Sequence, residues 1–270
     1  MISIILILLF VFSVLSVPVC HGVISGLYLY GMKIFPGLFI SFILTNILVR
    51  ILQQKNINNP WILVITGLMT GFPNGAYICS WYNKNNPENR LGDMLAGIIN
   101  IPSPAFLISY VYINILEKCI SLPMFLALTY TPVILCSYMA ILFFRDKDNK
   151  KDNAPHIKTG KKLIFHFFEE AVDSSINTAL TLGAYVIIFS VIVNIIMHFS
   201  QSNTAGLLIS YLFEISNGLA IIKNAGIPMN ITVLLTVLLD AFGGVCIIMQ
   251  TKSICSSYIS IKKYIYQKLV

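Results

Sequence analysis

Charge is scarce in this chain of 270 residues: 11% are Asp, Glu, Lys or Arg, against 57% hydrophobic. A soluble domain carries roughly twice that charge, so a water-soluble globule is excluded, as are disorder, a collagen-like fibre and a coiled coil. The mean hydropathy is +0.81, and the apolar runs can cross a bilayer core of roughly 30 Å, so lipid is the solvent. No Walker loop, HExxH, GxSxG or DxDxG pattern occurs, which leaves ATP-driven transport within this chain and common hydrolase chemistry without support. The six cysteines (Cys20, Cys79, Cys119, Cys136, Cys246, Cys255) and four histidines (His21, His156, His166, His198) share no metal-ligand spacing. No metal, no cofactor and no enzymatic activity are expected.

Lys and Arg outnumber Asp and Glu by 18 to 11, a net charge of +7. Seven of those 18 lie between Arg145 and Lys162, together with Asp146, Asp148 and Asp152, and form one solvated loop between two halves. Lys252, Lys262, Lys263 and Lys268 stand in a tail without acids. The positive-inside rule puts loop and tail on the cytoplasmic side of the membrane, beside anionic headgroups. The lipid bilayer is thus the partner that this charge pattern implies, and no nucleic-acid partner is expected.

Hydropathy divides the chain into an N-terminal helix and connector (1–33), a first repeat (34–144), the basic loop (145–172), a second repeat (173–250) and an amphipathic basic tail (251–270) suited to a membrane surface. Ile2 to Val19 is apolar without a positive region before it, which favours a retained helix over a cleaved signal peptide. In the first repeat, the run from Trp61 to Tyr82 is interrupted at Gly71-Phe72-Pro73-Asn74-Gly75, and that from Leu91 to Leu116 at Asn100-Ile101-Pro102-Ser103-Pro104. In the second, Thr204 to Ile222 is interrupted at Glu214-Ile215-Ser216-Asn217-Gly218, and Pro228 to Met249 at Asp240-Ala241-Phe242-Gly243-Gly244. Loop and tail share a side only if an even number of crossings separates them, yet three apolar stretches do. A broken segment is therefore expected to re-enter, because non-helical backbone at membrane depth survives only against protein or a watery cavity.

The breaks recur in order. Asn74 aligns with Asn217, 143 positions on, and Asn100 with Asp240, 140 positions on. This is the duplication from which transporters are often built. Glu214 and Asp240 are carboxylates deep in apolar runs, expensive unless paired, protonated or open to a cavity; Glu214 is the strongest single functional signal, and the structural alternative for each is a buried carboxyl bonded to a neighbouring helix or to free backbone amides. Asn74, Ser103, Ser216 and Asn217 sit at breaks, where a half-helix N-terminus attracts an anion and unwound carbonyls attract a cation; capping is the structural alternative. Gly71 and Gly75 also suit close helix packing. Arg90 and Lys223 are the fixed cations nearest the breaks in sequence.

Gly71-Phe72-Pro73-Asn74-Gly75-Ala76, Arg90-Leu91 and Asn100-Ile101-Pro102-Ser103-Pro104-Ala105-Phe106 resemble the "SG(F/Y)P(x)GA … ERL … NNSGPLF" block of the sporulation integral membrane proteins of the YlbJ type. Leu182 to Val191, Glu214-Ile215-Ser216-Asn217-Gly218 and Phe242-Gly243-Gly244 to Gln250 resemble that family's "IGGFIILFSVL", "E(L/I)TNG" and "FGG … Q". The likeness runs from about Ile34 to Leu269, with Asn100-Ile101-Pro102 in place of Asn-Asn-Ser. These proteins belong to the gate, or nucleoside-recognition, group, which is similar to the core of concentrative nucleoside transporters. The resemblance implies two inverted repeats with re-entrant hairpins, and movement of a small anion, dipicolinate, during spore formation.

The expectation is an all-α polytopic membrane protein with two inverted repeats containing broken or re-entrant helices, in the cytoplasmic membrane of a spore-forming bacterium. Glu214, Asn217 and Ser216 would bind solute or a coupling proton or sodium ion. Asn74, Ser103 and Asn100 would form the opposing half-site, with Asp240 shaping or coupling it. Gly71, Pro73, Gly75, Pro102, Pro104, Gly218, Gly243 and Gly244 would break the helices. The alternatives are a nucleoside-type solute, or a non-transporting membrane scaffold for sporulation partners; a second copy of the chain or a sporulation membrane protein is the further partner considered.

Overall fold

The computed structural model describes residues 16–55, 59–87, 90–144, 161–200, 204–255 and 258–269; the expected N-terminal helix lies largely outside them, as does most of the basic loop. All regular structure among these residues is helical. Helix α1 (Val17–Tyr28) runs through a π-helical segment (Leu29–Ile34) into α2 (Phe35–Lys55). The first repeat continues with α3 (Pro60–Thr70), α4 (Asn74–Asn85), α5 (Leu91–Ile99), α6 (Pro104–Phe106, continued by the π-helix Leu107–Ile115) and α7 (Leu122–Phe144). The second half holds α8 (Lys161–Phe199), α9 (Thr204–Phe213), α10 (Ile215–Asn224), α11 (Met229–Phe242), α12 (Gly244–Cys255) and α13 (Ile261–Leu269).

Among the described residues, four stretches are long and apolar enough to cross a membrane: Leu91–Ile115, Leu122–Phe143, Phe168–Phe199 and Met229–Cys255. A fifth is the pair Val17–Ile34 and Phe39–Ile51, bent by 59°. The supposed connector before residue 34 is therefore helix, and Ile34 to Leu52 is the second arm of a bent span. The bent span lies antiparallel to α8, with Gly22 and Gly26 against the backbone of Val191 and Ile187 and, further on, Asn46 bonded to Ser175 and Arg50 paired with Glu170. A Cβ on Gly22 would stand 2.5 Å from Val191 Cα, so this is the small-residue packing by which helices associate in lipid.

The pairs α3–α4 and α9–α10 do not cross. A Cβ on Gly218 would lie 2.7 Å from the carbonyl oxygen of Tyr211, seven residues back. Seven residues of straight helix would hold those positions about 10 Å apart, so α10 folds back on α9 as a hairpin. Trp61 packs beside Tyr138, near the end of α7, while Asn83 reaches Tyr258 and Asp93, so both ends of the first hairpin share the face where the chain passes from Phe144 to Lys161. Lys223, at the end of the second hairpin, meets Glu117 and Asn114 at the opposite face. Two full crossings, α8 and α11–α12, then separate the basic loop from the tail. Parity is restored, and the second repeat enters from the opposite face to the first.

The tail departs from expectation. One face of α13 packs inward against α5, with Tyr264 fully buried and Lys268 only 8% exposed, while Tyr266 and Leu269 stay exposed on the other. The buried Asp93 carboxylate holds its start, accepting the Ser260 N–H at 3.1 Å beside Lys263 at 3.6 Å. Gln267 bonds the Asp93 carbonyl and Gly97 N–H. The apolar spacing was legible; that its buried face meets protein instead of lipid depends on α5.

Gly26→Leu should force α1 off α8 and cost about 1–3 kcal/mol, seen as a lower Tm in detergent. Gly31→Leu, where nothing stands within 4 Å, should leave Tm unchanged by clash.

Candidate functional site

Each break places one half-helix end against its neighbour. At the first hairpin tip, Gly71 has φ +73° and sits so close to Ser103 that a Cβ would meet its backbone nitrogen at 2.4 Å. The Phe72 N–H donates to the Ile101 carbonyl at 2.9 Å, stitching the two breaks of the first repeat together. Ser103 caps α6 by accepting the Phe106 N–H, with Pro104 in the first turn, where its missing donor costs nothing. The second repeat repeats this contact: Gly244, at the start of α12, lies against the Leu212 and Phe213 carbonyls at the hairpin tip. Gly243 closes α11 in the left-handed conformation.

A cavity of about 30 Å³ lies where the two repeats face each other. Phe72, Ser103 and Phe106 line it from the first repeat, and Glu214, Ser216 and Gln250 from the second, with Tyr30 on the bent span. It has room for one or two waters. Glu214 is 2% exposed and caps α10, its carboxylate accepting the Asn217 N–H at 2.7 Å. Glu214 is thus both helix cap and cavity wall. The N-termini of α6 and α10 both end at this cavity, their helix dipoles pointing positive ends toward it while Ser103 and Glu214 accept first-turn N–H groups.

Of the residues expected to bind solute, the fold brings Ser103, Glu214 and Ser216 together and separates the rest. Asn74 lines a cavity of about 10 Å³ with Asn46, Tyr77 and Thr178, toward the basic-loop face. Asn217 lines a groove of about 530 Å³ with Ser25, Asn194 and Asn224, toward the opposite face. The amide nitrogens of both are buried with no hydrogen-bond partner among the described residues. Asn100 is engaged on every side: its side chain accepts the Ala76 N–H and donates to Tyr264 and Thr251, and its carbonyl accepts Lys268. It is a structural bracket with nothing left for a solute. Asp240 is fully buried outside the central cavity, and neither carboxylate oxygen has a hydrogen-bond partner among the described residues.

Arg90 and Lys223 are not the site's cations. Arg90 stands 3.6 Å from Asp93 at one face, and Lys223 pairs with Glu117 at 2.8 Å at the other. The hydrogen bond and charge of Lys223 hold the exposed Glu117 carboxyl below the usual carboxylate range. That contribution is present at neutral pH and fades as pH falls through the lowered value. Among the described residues the interior cation is Lys268, which the sequence sets in the same acid-free tail as the exposed Lys262 and Lys263.

No protein-family model, curated protein or solved structure matches this chain. Its fold and the placement of its breaks define an integral membrane protein of broken and re-entrant helices.

Asn100→Leu orphans the Ala76 N–H, a cost of about 1–3 kcal/mol, and leaves the Thr251 and Tyr264 hydroxyls with only each other, so it should strongly lower Tm. Asn217→Ala removes an amide without a partner and should shift it little. Equal effects in a thermal-denaturation assay would contradict these separate roles.

Proposed function

We propose that this protein is a membrane transporter that passes a small polar or anionic solute between its two repeats, with dipicolinate during spore formation the first solute to test. The observation that carries the reading is the central cavity, walled by Ser103 from one repeat and by Glu214 and Ser216 from the other. A site made at the seam of two repeats changes shape when either rocks, as alternating access requires.

Asn74 and Asn217 support the same reading. Aligned in sequence, they line separate cavities toward opposite faces, one nearly closed and the other a broad groove. Half-helix N-termini favour an anionic group in the centre. Glu214 then stands beside the solute as its proton- or sodium-sensitive neighbour, and Asp240, sealed without a donor among the described residues, needs a proton or a cation as companion. The choice of dipicolinate rests on the resemblance to the YlbJ-type proteins. No covalent chemistry is proposed.

The test is dipicolinate flux into proteoliposomes under imposed proton or sodium gradients. Glu214→Gln keeps an oxygen that can accept the Asn217 N–H, so the protein should fold while flux falls about tenfold or more. Flux no greater than that of empty vesicles, from folded protein, would reject dipicolinate; full flux in the variant would remove Glu214 from the path.

A further inference from the structure

The two broken spans end their first halves at related places. Helix α5 stops at Ile99, so the Asn100 carbonyl has no helical partner, and Ala241 lies in the last turn of α11, where carbonyls also go unpaired. Each such end carries about half a negative charge and would be costly left bare in an apolar interior. One group answers both. The Lys268 ammonium donates to the Asn100 carbonyl at 2.5 Å and to the Ala241 carbonyl at 2.8 Å.

The lysine is held there. Tyr264, one turn earlier on α13, bonds the Asn100 side chain at 2.8 Å, and its ring lies 5.9 Å from the ammonium. Gln267 and the Asp93–Lys263–Ser260 contacts fasten the same helix to α5. No carboxylate forms an ion pair with Lys268 among the described residues. Its counter-charge is supplied by backbone carbonyls, the ligand type with which membrane proteins strip and hold alkali cations.

We propose that the helix ends at Asn100 and Ala241 form a seat for a monovalent cation, and that the chain fills it with its own Lys268 ammonium in place of a free sodium or potassium ion. One end belongs to each repeat, so the tethered cation also fastens the repeats to each other. This inference does not rest on the identity of the solute or on transport itself.

Tm of the purified full-length protein in detergent, measured in choline, sodium and potassium chloride at equal ionic strength, tests it. The wild type should give one value in all three salts. Lys268→Ala should lose roughly 5–10 °C in choline and recover part of it, saturably, in sodium or potassium, because the emptied seat admits an ion. Lys268→Met, which fills the space without charge, should lose a similar amount and recover nothing. A Lys268→Ala protein that no alkali ion restores, or one as stable as wild type in choline, would overturn the proposal. Should neither variant fold, the wild type decides alone: a saturable rise with one alkali ion would mean that a free cation still enters these helix ends, and would refute a seat already filled.

Discussion

A backbone interrupted inside an apolar layer must find partners for the N–H and C=O groups that the helix no longer satisfies, and in this protein a set of interior side chains and neighbouring carbonyls meets that need. The Phe72 N–H goes to Ile101, the Ala76 N–H to the Asn100 side chain, the Phe106 N–H to Ser103 and the Asn217 N–H to Glu214. The carbonyls left over at Asn100 and Ala241 go to Lys268. Ser103 and Glu214 cap their own helices, whereas the Phe72–Ile101, Ala76–Asn100 and Lys268 contacts join different elements, so satisfying the breaks also sets how hairpins, broken spans and tail pack.

The duplication follows from the same constraint. Each repeat lays a hairpin tip against the start of a second half-helix, Gly71 on Ser103 in one and Phe213 on Gly244 in the other. The close approaches require glycine on one side of each contact, which is why glycine punctuates the aligned motifs. Opposite entry of the repeats then brings both hairpin tips to one central cavity and sends Asn74 and Asn217 toward opposite faces.

Interior charge is sparse and divided by position. Glu214 is tied to free backbone N–H groups at a helix start, Lys268 to free carbonyls at helix ends, and Asp240 to no described partner. The first two complement the partial charges of broken helices, an arrangement favourable only because water is absent. Exposed charges such as Arg90 and Lys223 instead pair with nearby acids at the two faces and mark its rims.

Composition and periodicity alone determined the all-helical membrane class, the location of all four breaks and the buried carboxylates Glu214 and Asp240, but not Asp93, which is buried only because α13 packs over it. Apolar run length and Gly, Pro and Asn chemistry act locally, and local physics is written directly in a sequence. The pairing of the repeats was visible only as matched polar breaks. Tertiary structure decided the rest: that the stretch before residue 34 is helix held by Gly22 and Gly26, that Asn100 is consumed as a bracket, and that Asn74 and Asn217 stand apart from Ser103 and Glu214. It also turned the basic tail inward, because the worth of burying Tyr264 and Lys268 depends on carbonyls and side chains more than a hundred and fifty residues away in α5, which no spacing within the tail can reveal.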